Sequence, residues 1–303
     1  MELQWPLILF TTLVAWSAGV FGTQAVLAWR DEAPKAQLPS WIAAAVLLAA
    51  GGIAVFFHLE HFERIFNGFG HLTSGITQEL IAIVVLAVVA VVYLVYLRRP
   101  EGRVPVWLAA VSVVASVALV VVMAHSYMMS ARPAWDSVLW IFYVLGNACV
   151  LGPATVALVC AVVKEPVKLA ATVALIGAAV NAVTTIVYAV TLQFLEGSFT
   201  TVGFYSDPTA PTAPLVDVTA VGNVFTGELA PLMWIGVILV GAVVPLVAAL
   251  LEKRSGAAPA ADGTAAASRA ELWMTVAVVA AVIGAICMRV VFYELGTSVF
   301  MLY

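Results

Sequence analysis

The chain has 303 residues, 64% of them hydrophobic and only 10% charged, with a net charge of −4 and a mean hydropathy of +1.09. A soluble domain carries about a quarter of its residues as charged groups, so a bilayer is the natural solvent for this one. Mild acidity and 13 Lys and Arg scattered between apolar stretches leave no basic face for nucleic acid.

Crossing about 30 Å of hydrocarbon takes roughly 20 apolar residues as helix, which predicts eight spans in one membrane domain covering 1–303. The first, near 6–29, follows Met1-Glu2-Leu3-Gln4; without a basic n-region it reads as a retained helix, not a cleaved signal. The second, 40–60, ends in a polar cluster, His58-Leu59-Glu60-His61-Phe62-Glu63-Arg64. The third, 77–97, opens at Glu79 and runs from Ile81 to Leu97 without the alternation of a β-barrel strand. The fourth, 104–129, contains His125, and the fifth, 136–163, contains Asn147 and Gly152-Pro153. The sixth, 167–194, holds Asn181 and Gln193; the seventh is 225–251; the eighth, 271–295, holds Arg289 and Glu294. The expected fold is therefore an all-α integral membrane protein, a bundle of eight transmembrane helices.

Lys and Arg are retained in cytoplasmic loops. The first, third, fifth and seventh loops hold ten of them, against Arg64 and Arg132 alone in the second, fourth and sixth, so both termini are expected outside, on the periplasmic or extracytoplasmic face. The stretch 255–268 is rich in Ala, Gly, Pro and Ser and reads as a flexible linker. The loop 195–227 combines three prolines with acidic and aromatic residues and suits either a solvated connection or a partner contact.

Ionisable groups in or beside spans are functional candidates by default. On a helix His58 shares a face with His61 and Phe62 but not with Glu60. A histidine at the membrane edge, with a carboxylate and an arginine nearby, suits quinol oxidation, which releases two electrons and two protons. Imidazole accepts a proton near neutral pH and a carboxylate passes it on. The plainer reading is a set of interfacial polar residues that snorkel to headgroups. Haem is a rival use of histidine, but a di-haem site would consume His58, His61, His71 and His125 together; a single haem between His125 and His58 is the simpler variant. Cys149, Cys160 and Cys287 lie in apolar runs without C-x-x-C spacing and read as packing residues, without an iron–sulfur site. Asn147, Asn181 and Gln193 read as interhelical hydrogen-bonding groups. Arg289 stays charged and Glu294 lies beyond its i+4 neighbour, so the guanidinium needs another partner.

Several short strings keep a definite order along the chain: Trp5-Pro6-Leu7 with Phe10-Thr11; His58-Leu59, Arg64, Phe66-Asn67 and Gln78-Glu79-Leu80; Pro133, Trp135 and Gly152-Pro153; Arg289 with Val291-Phe292-Tyr293. Together they resemble the membrane anchor subunits of the DMSO reductase family (DmsC). The resemblance implies a haem-free, multi-pass anchor in the bacterial cytoplasmic (inner) membrane that passes electrons from menaquinol to an iron–sulfur subunit, and from there to a molybdopterin catalytic subunit, in anaerobic respiration. Such an anchor does not itself transform the terminal substrate. It further implies a quinol site at His58, Arg64 and Glu79, with no metal and no iron–sulfur cluster in this chain. In that site His58 takes a hydroxyl proton, Glu79 relays it and Arg64 steadies the developing negative charge. Two departures stand out: His125 replaces an arginine of the family pattern, and the loop before Glu79 is one residue shorter. Alternatives are a quinone-interacting anchor of the NrfD/PsrC type, a purely structural anchor, and a secondary transporter, for which Gly152-Pro153 and Pro231 would interrupt helices.

Overall fold

The computed structural model describes residues 3–58, 70–194, 206–207, 210–214, 223–257 and 263–296. Among them, eight helices are long and apolar enough to cross a membrane. They are α1 (Trp5–Trp29), α2 (Pro34–Phe56), α3 (Gly75–Leu97), α4 (Val106–Ser126), α5 (Val138–Val162), α6 (Lys168–Thr191), a seventh span that opens as a π-helix (Leu232–Val243) and continues as α7 (Val244–Ala257), and α8 (Gly263–Glu294). The chain is thus an eight-span helical membrane bundle. Its one departure among the described residues is a short antiparallel hairpin, β1 (Ser206–Asp207) and β2 (Ala210–Pro214), in the connection after α6.

Helix is the form in which each span satisfies its own backbone in lipid, and local chemistry sets where each one starts. Proline occupies the first turn of α1 and of α2, where its missing N–H costs nothing. As a result α2 begins at Pro34, six residues before the predicted span, and carries Pro39 within it. Ser137 opens α5 by accepting a hydrogen bond from the Leu139 amide at 3.3 Å, an N-cap. The seventh span starts later than predicted. Asn223 folds the chain back, its side chain accepting from the Phe225 amide at 2.9 Å and its carbonyl from Gly227 at 2.8 Å, a turn that competes with helix. Of the expected flexible linker, 255–257 and 263–268 are helical, as α7 runs to Ala257 and α8 starts at Gly263, and 258–262 lies outside the described residues; the high helix propensity of alanine favours helix there.

Helices α1 and α5 form the centre. In their most apolar windows 61% and 72% of residues are buried, against 11% for α3, which places α3 at the lipid-facing rim. Consistent with that, Val84, Val85, Val88, Val91 and Val95 of α3 are exposed, tolerable only where the solvent is hydrocarbon. Without a hydrophobic drive between helices, small residues and polar bonds hold the bundle. A Cβ on Gly152 of α5 would strike the Gly19 backbone of α1, and one on Gly284 of α8 would strike Gly241 in the π-helix. Trp16 Nε1 donates to Thr155 Oγ1 at 2.8 Å, Ser17 Oγ to the Ala44 carbonyl at 2.7 Å and Trp41 Nε1 to the Ala90 carbonyl at 2.9 Å, tying α1 to α5, α1 to α2 and α2 to α3. Gly152-Pro153 does not interrupt α5, which is continuous through it, and Pro231 merely caps the π-helix. At one end of the bundle the α1–α2 and α3–α4 connections are bridged by Arg103 and Asp31 at 2.8 Å, and Lys35 at the start of α2 meets Glu165 beyond α5 at 3.6 Å. The other end carries the candidate site.

Candidate functional site

Glu79 lies one turn into α3, near its start, 7% exposed. Its carboxylate accepts a hydrogen bond from Ser126 Oγ, the last residue of α4. The pair is held by close approach of backbones: a Cβ on Gly75 would come within 2.8 Å of Ser126 Cβ, so a larger residue there would push α3 away from α4. Ser126 Oγ also lies 2.8 Å from the Met123 carbonyl. A hydroxyl carries one proton and accepts others, so Ser126 accommodates both states of Glu79. It donates to the ionised carboxylate, or turns its proton to Met123 and accepts from the protonated acid.

The remaining predicted residues are placed differently. His58 follows the end of α2, its amide bonded to the Val55 carbonyl at 3.0 Å, with an exposed side chain. His71 and His125 are exposed as well, so neither points into the bundle. Arg64, Glu60, His61, Phe62, Glu63, Phe66 and Asn67 lie outside the described residues. Among the described residues the structure therefore joins Glu79 to Ser126 and leaves His58 at the rim. Gln193 is exposed in the short 3-10 turn after α6, and Glu294 is exposed, away from Arg289.

Sequence reasoning flagged Arg289 but not its surroundings. Its guanidinium is fully buried. Nε donates to Thr11 Oγ1 at 2.9 Å, Nη1 to Asn147 Oδ1 at 2.9 Å and to the Ala285 carbonyl at 3.1 Å, and Nη2 to the Thr11 carbonyl at 3.3 Å. The chain of bonds continues outward: Asn147 Nδ2 donates to Asn181 Oδ1 at 2.9 Å, and Asn181 Nδ2 to the Gly241 carbonyl in the π-helix at 3.0 Å. Asn147 and Asn181 are interhelical groups, as expected, but their shared purpose is to carry a buried cation. All of these acceptors are neutral. Charge is steadied by oxygen dipoles and by aromatic faces, Trp140 lying 6.0 Å from the guanidinium, a weak form of cation–π attraction.

Between Arg289 and Glu79 stand Tyr127 and Tyr293, each close enough to both to interact electrostatically. Burial, reinforced by Glu79, holds the Tyr127 phenol well above its ordinary range, so it stays a neutral donor. Tyr293 is fixed by a collar of rings. Trp135 stacks on Phe292 at 4.7 Å, Phe292 on Trp140 at 3.9 Å, and Tyr293 meets the edges of Trp135 and Phe292 at 5.5 Å. Trp135 Nε1 donates to the Phe292 carbonyl at 2.6 Å, and Arg132 bonds the Gly296 carbonyl, which locks the α4–α5 connection to the end of α8. Ser126 and Tyr127 are residues that sequence reading missed, and Tyr293 entered it only within the string Val291-Phe292-Tyr293, with no role assigned. Their signal, hydroxyls at the ends of spans whose loops share one face, becomes visible only after the spans are paired.

A buried carboxylate with a switchable hydroxyl partner, phenols beside it and a cation behind can receive a proton and stabilise a transient negative charge. The sequence model of the DMSO reductase anchor subunit (DmsC) matches residues 1–253. No curated protein matches the chain.

Proposed function

The chain belongs to the DMSO reductase anchor subunit family, a multi-pass membrane anchor that associates with other reductase subunits, and from that premise we propose that it is also the subunit that oxidises menaquinol. The observation that carries this reading is Glu79: a buried carboxylate at one end of the bundle, bonded to Ser126 in a way that suits both of its protonation states. The quinol hydroxyl gives its proton to His58, Glu79 relays it toward water, and Arg64 steadies the oxygen while charge develops. Oxidation of one quinol releases two protons and two electrons. The electrons pass to an iron–sulfur partner subunit and on to a molybdopterin catalytic subunit, where the terminal substrate is reduced in anaerobic respiration.

The distribution of Lys and Arg supports an orientation in which the Glu79 end faces outward from the bacterial cytoplasmic membrane, with both termini on that side. The iron–sulfur subunit then docks on the second, fourth and sixth loops. To test the reading, the complex is purified through a tag on this chain, and oxidation of a reduced menaquinol analogue is followed under an artificial acceptor in wild type, His58→Ala and Glu79→Gln. Loss of turnover with partner subunits still bound is the expected result. Undiminished turnover in both variants overturns the assignment.

A further inference from the structure

The Tyr293 hydroxyl is buried, its residue 3% exposed; Tyr127 approaches it as a donor, but its own proton meets no acceptor among the described residues. A buried polar group left unbonded costs about 1–3 kcal/mol, and native structures seldom leave one so. The ring cannot turn away to find solvent, because Trp135 and Phe292 box it on two sides. Glu79 lies near enough to act on the hydroxyl electrostatically. A donor fixed in place, without an acceptor and beside a carboxylate that handles protons, is the arrangement expected where an outside oxygen is to be held.

We propose that Tyr293 is a further ligand-binding residue of the quinol site, its hydroxyl donating to the quinol oxygen whose proton passes through His58 to Glu79. The inference rests on the quinol-oxidising reading given above. As the O–H proton departs, that oxygen gains negative charge, and a neutral phenol aimed at it strengthens its hydrogen bond as the charge grows. Phenol and carboxylate then act in complementary roles, one holding the oxygen and the other relaying the proton that His58 takes from it. Arg289, behind the tyrosines, adds positive potential without contact.

Tyr293→Phe removes the hydroxyl and keeps the ring. Two readings of that hydroxyl predict opposite outcomes, so the purified complex is examined for binding of a hydroxynaphthoquinone analogue by fluorescence quenching, and for thermal unfolding without ligand. The proposal expects binding weakened about five- to tenfold, with unfolding temperature unchanged or raised because an unsatisfied group has gone. Unchanged binding overturns it. Lost assembly or a lowered unfolding temperature overturns it as well, by making the hydroxyl a structural donor. Glu79→Gln and His58→Ala serve as controls. If both bind and turn over like wild type, the quinol reading itself fails; if they are impaired and Tyr293→Phe is not, only the role of Tyr293 falls.

Discussion

Replacing Arg289 by methionine removes a guanidinium that makes four hydrogen bonds to Thr11, Asn147 and Ala285 across α1, α5 and its own helix. Methionine fills part of the volume and relieves the desolvation of a charge, which offsets part of the loss. What is not relieved is Asn147 Oδ1, which is left buried without a donor at about 1–3 kcal/mol, along with the interhelical charge-assisted bonds. The net expectation is about 3–5 kcal/mol of destabilisation, read as a fall of roughly 5–10 °C in the unfolding temperature of detergent-solubilised protein. Arg289→Lys keeps the charge but not the fork that reaches two helices at once, so its effect is smaller. Asn147→Ala alone strands the guanidinium. Because each single change leaves the other partner unpaired, the double variant Arg289→Met with Asn147→Ala is expected to cost about 1–2 kcal/mol less than the sum of the two. An Arg289→Met protein as stable as wild type, or strict additivity with Asn147→Ala, refutes the account of this network.

Gly152→Leu drives a side chain into the backbone of Gly19 and is expected to cost several kcal/mol and to reduce membrane yield, whereas Gly52→Ala, which meets open space, leaves yield unchanged. Ser126→Ala removes the hydroxyl partner of Glu79; turnover with a quinol analogue falls about tenfold while subunit assembly, read by co-purification, is retained. If quinol protons and electrons leave toward the same side, reconstituted proteoliposomes turning over generate no membrane potential, and a voltage-sensitive dye that responds to turnover contradicts the proposed orientation.

The spans were legible because hydropathy is a property of whole segments, and lipid leaves the backbone few alternatives to helix. Their boundaries were less so, because residues such as Pro34, Asn223 and the alanines after Ser255 act through local turn and helix chemistry on which hydropathy is silent. Glu79 and Arg289 stood out in sequence as costly charges. Their partners did not: Ser126 carries no sequence signal, Thr11 and Tyr293 figure only within short resemblance strings, and the pairings of Ser126 with Glu79 and Thr11 with Arg289 span 47 and 278 residues. His58 and Glu79, paired by resemblance, are placed by the structure at the exposed end of α2 and the buried start of α3 respectively.

Glu79 stands on the helix least enclosed by its neighbours, anchored chiefly along one side by α4. If Glu79 serves the proposed quinol site, a molecule dissolved among acyl chains would approach it by sideways diffusion within the leaflet, past the exposed side of α3. Occupancy is then governed by how strongly the ligand partitions into lipid and by its concentration per unit of membrane area. Diluting the bilayer with inert phospholipid, at fixed bulk concentrations of protein and ligand, should slow such a site as effectively as removing the ligand.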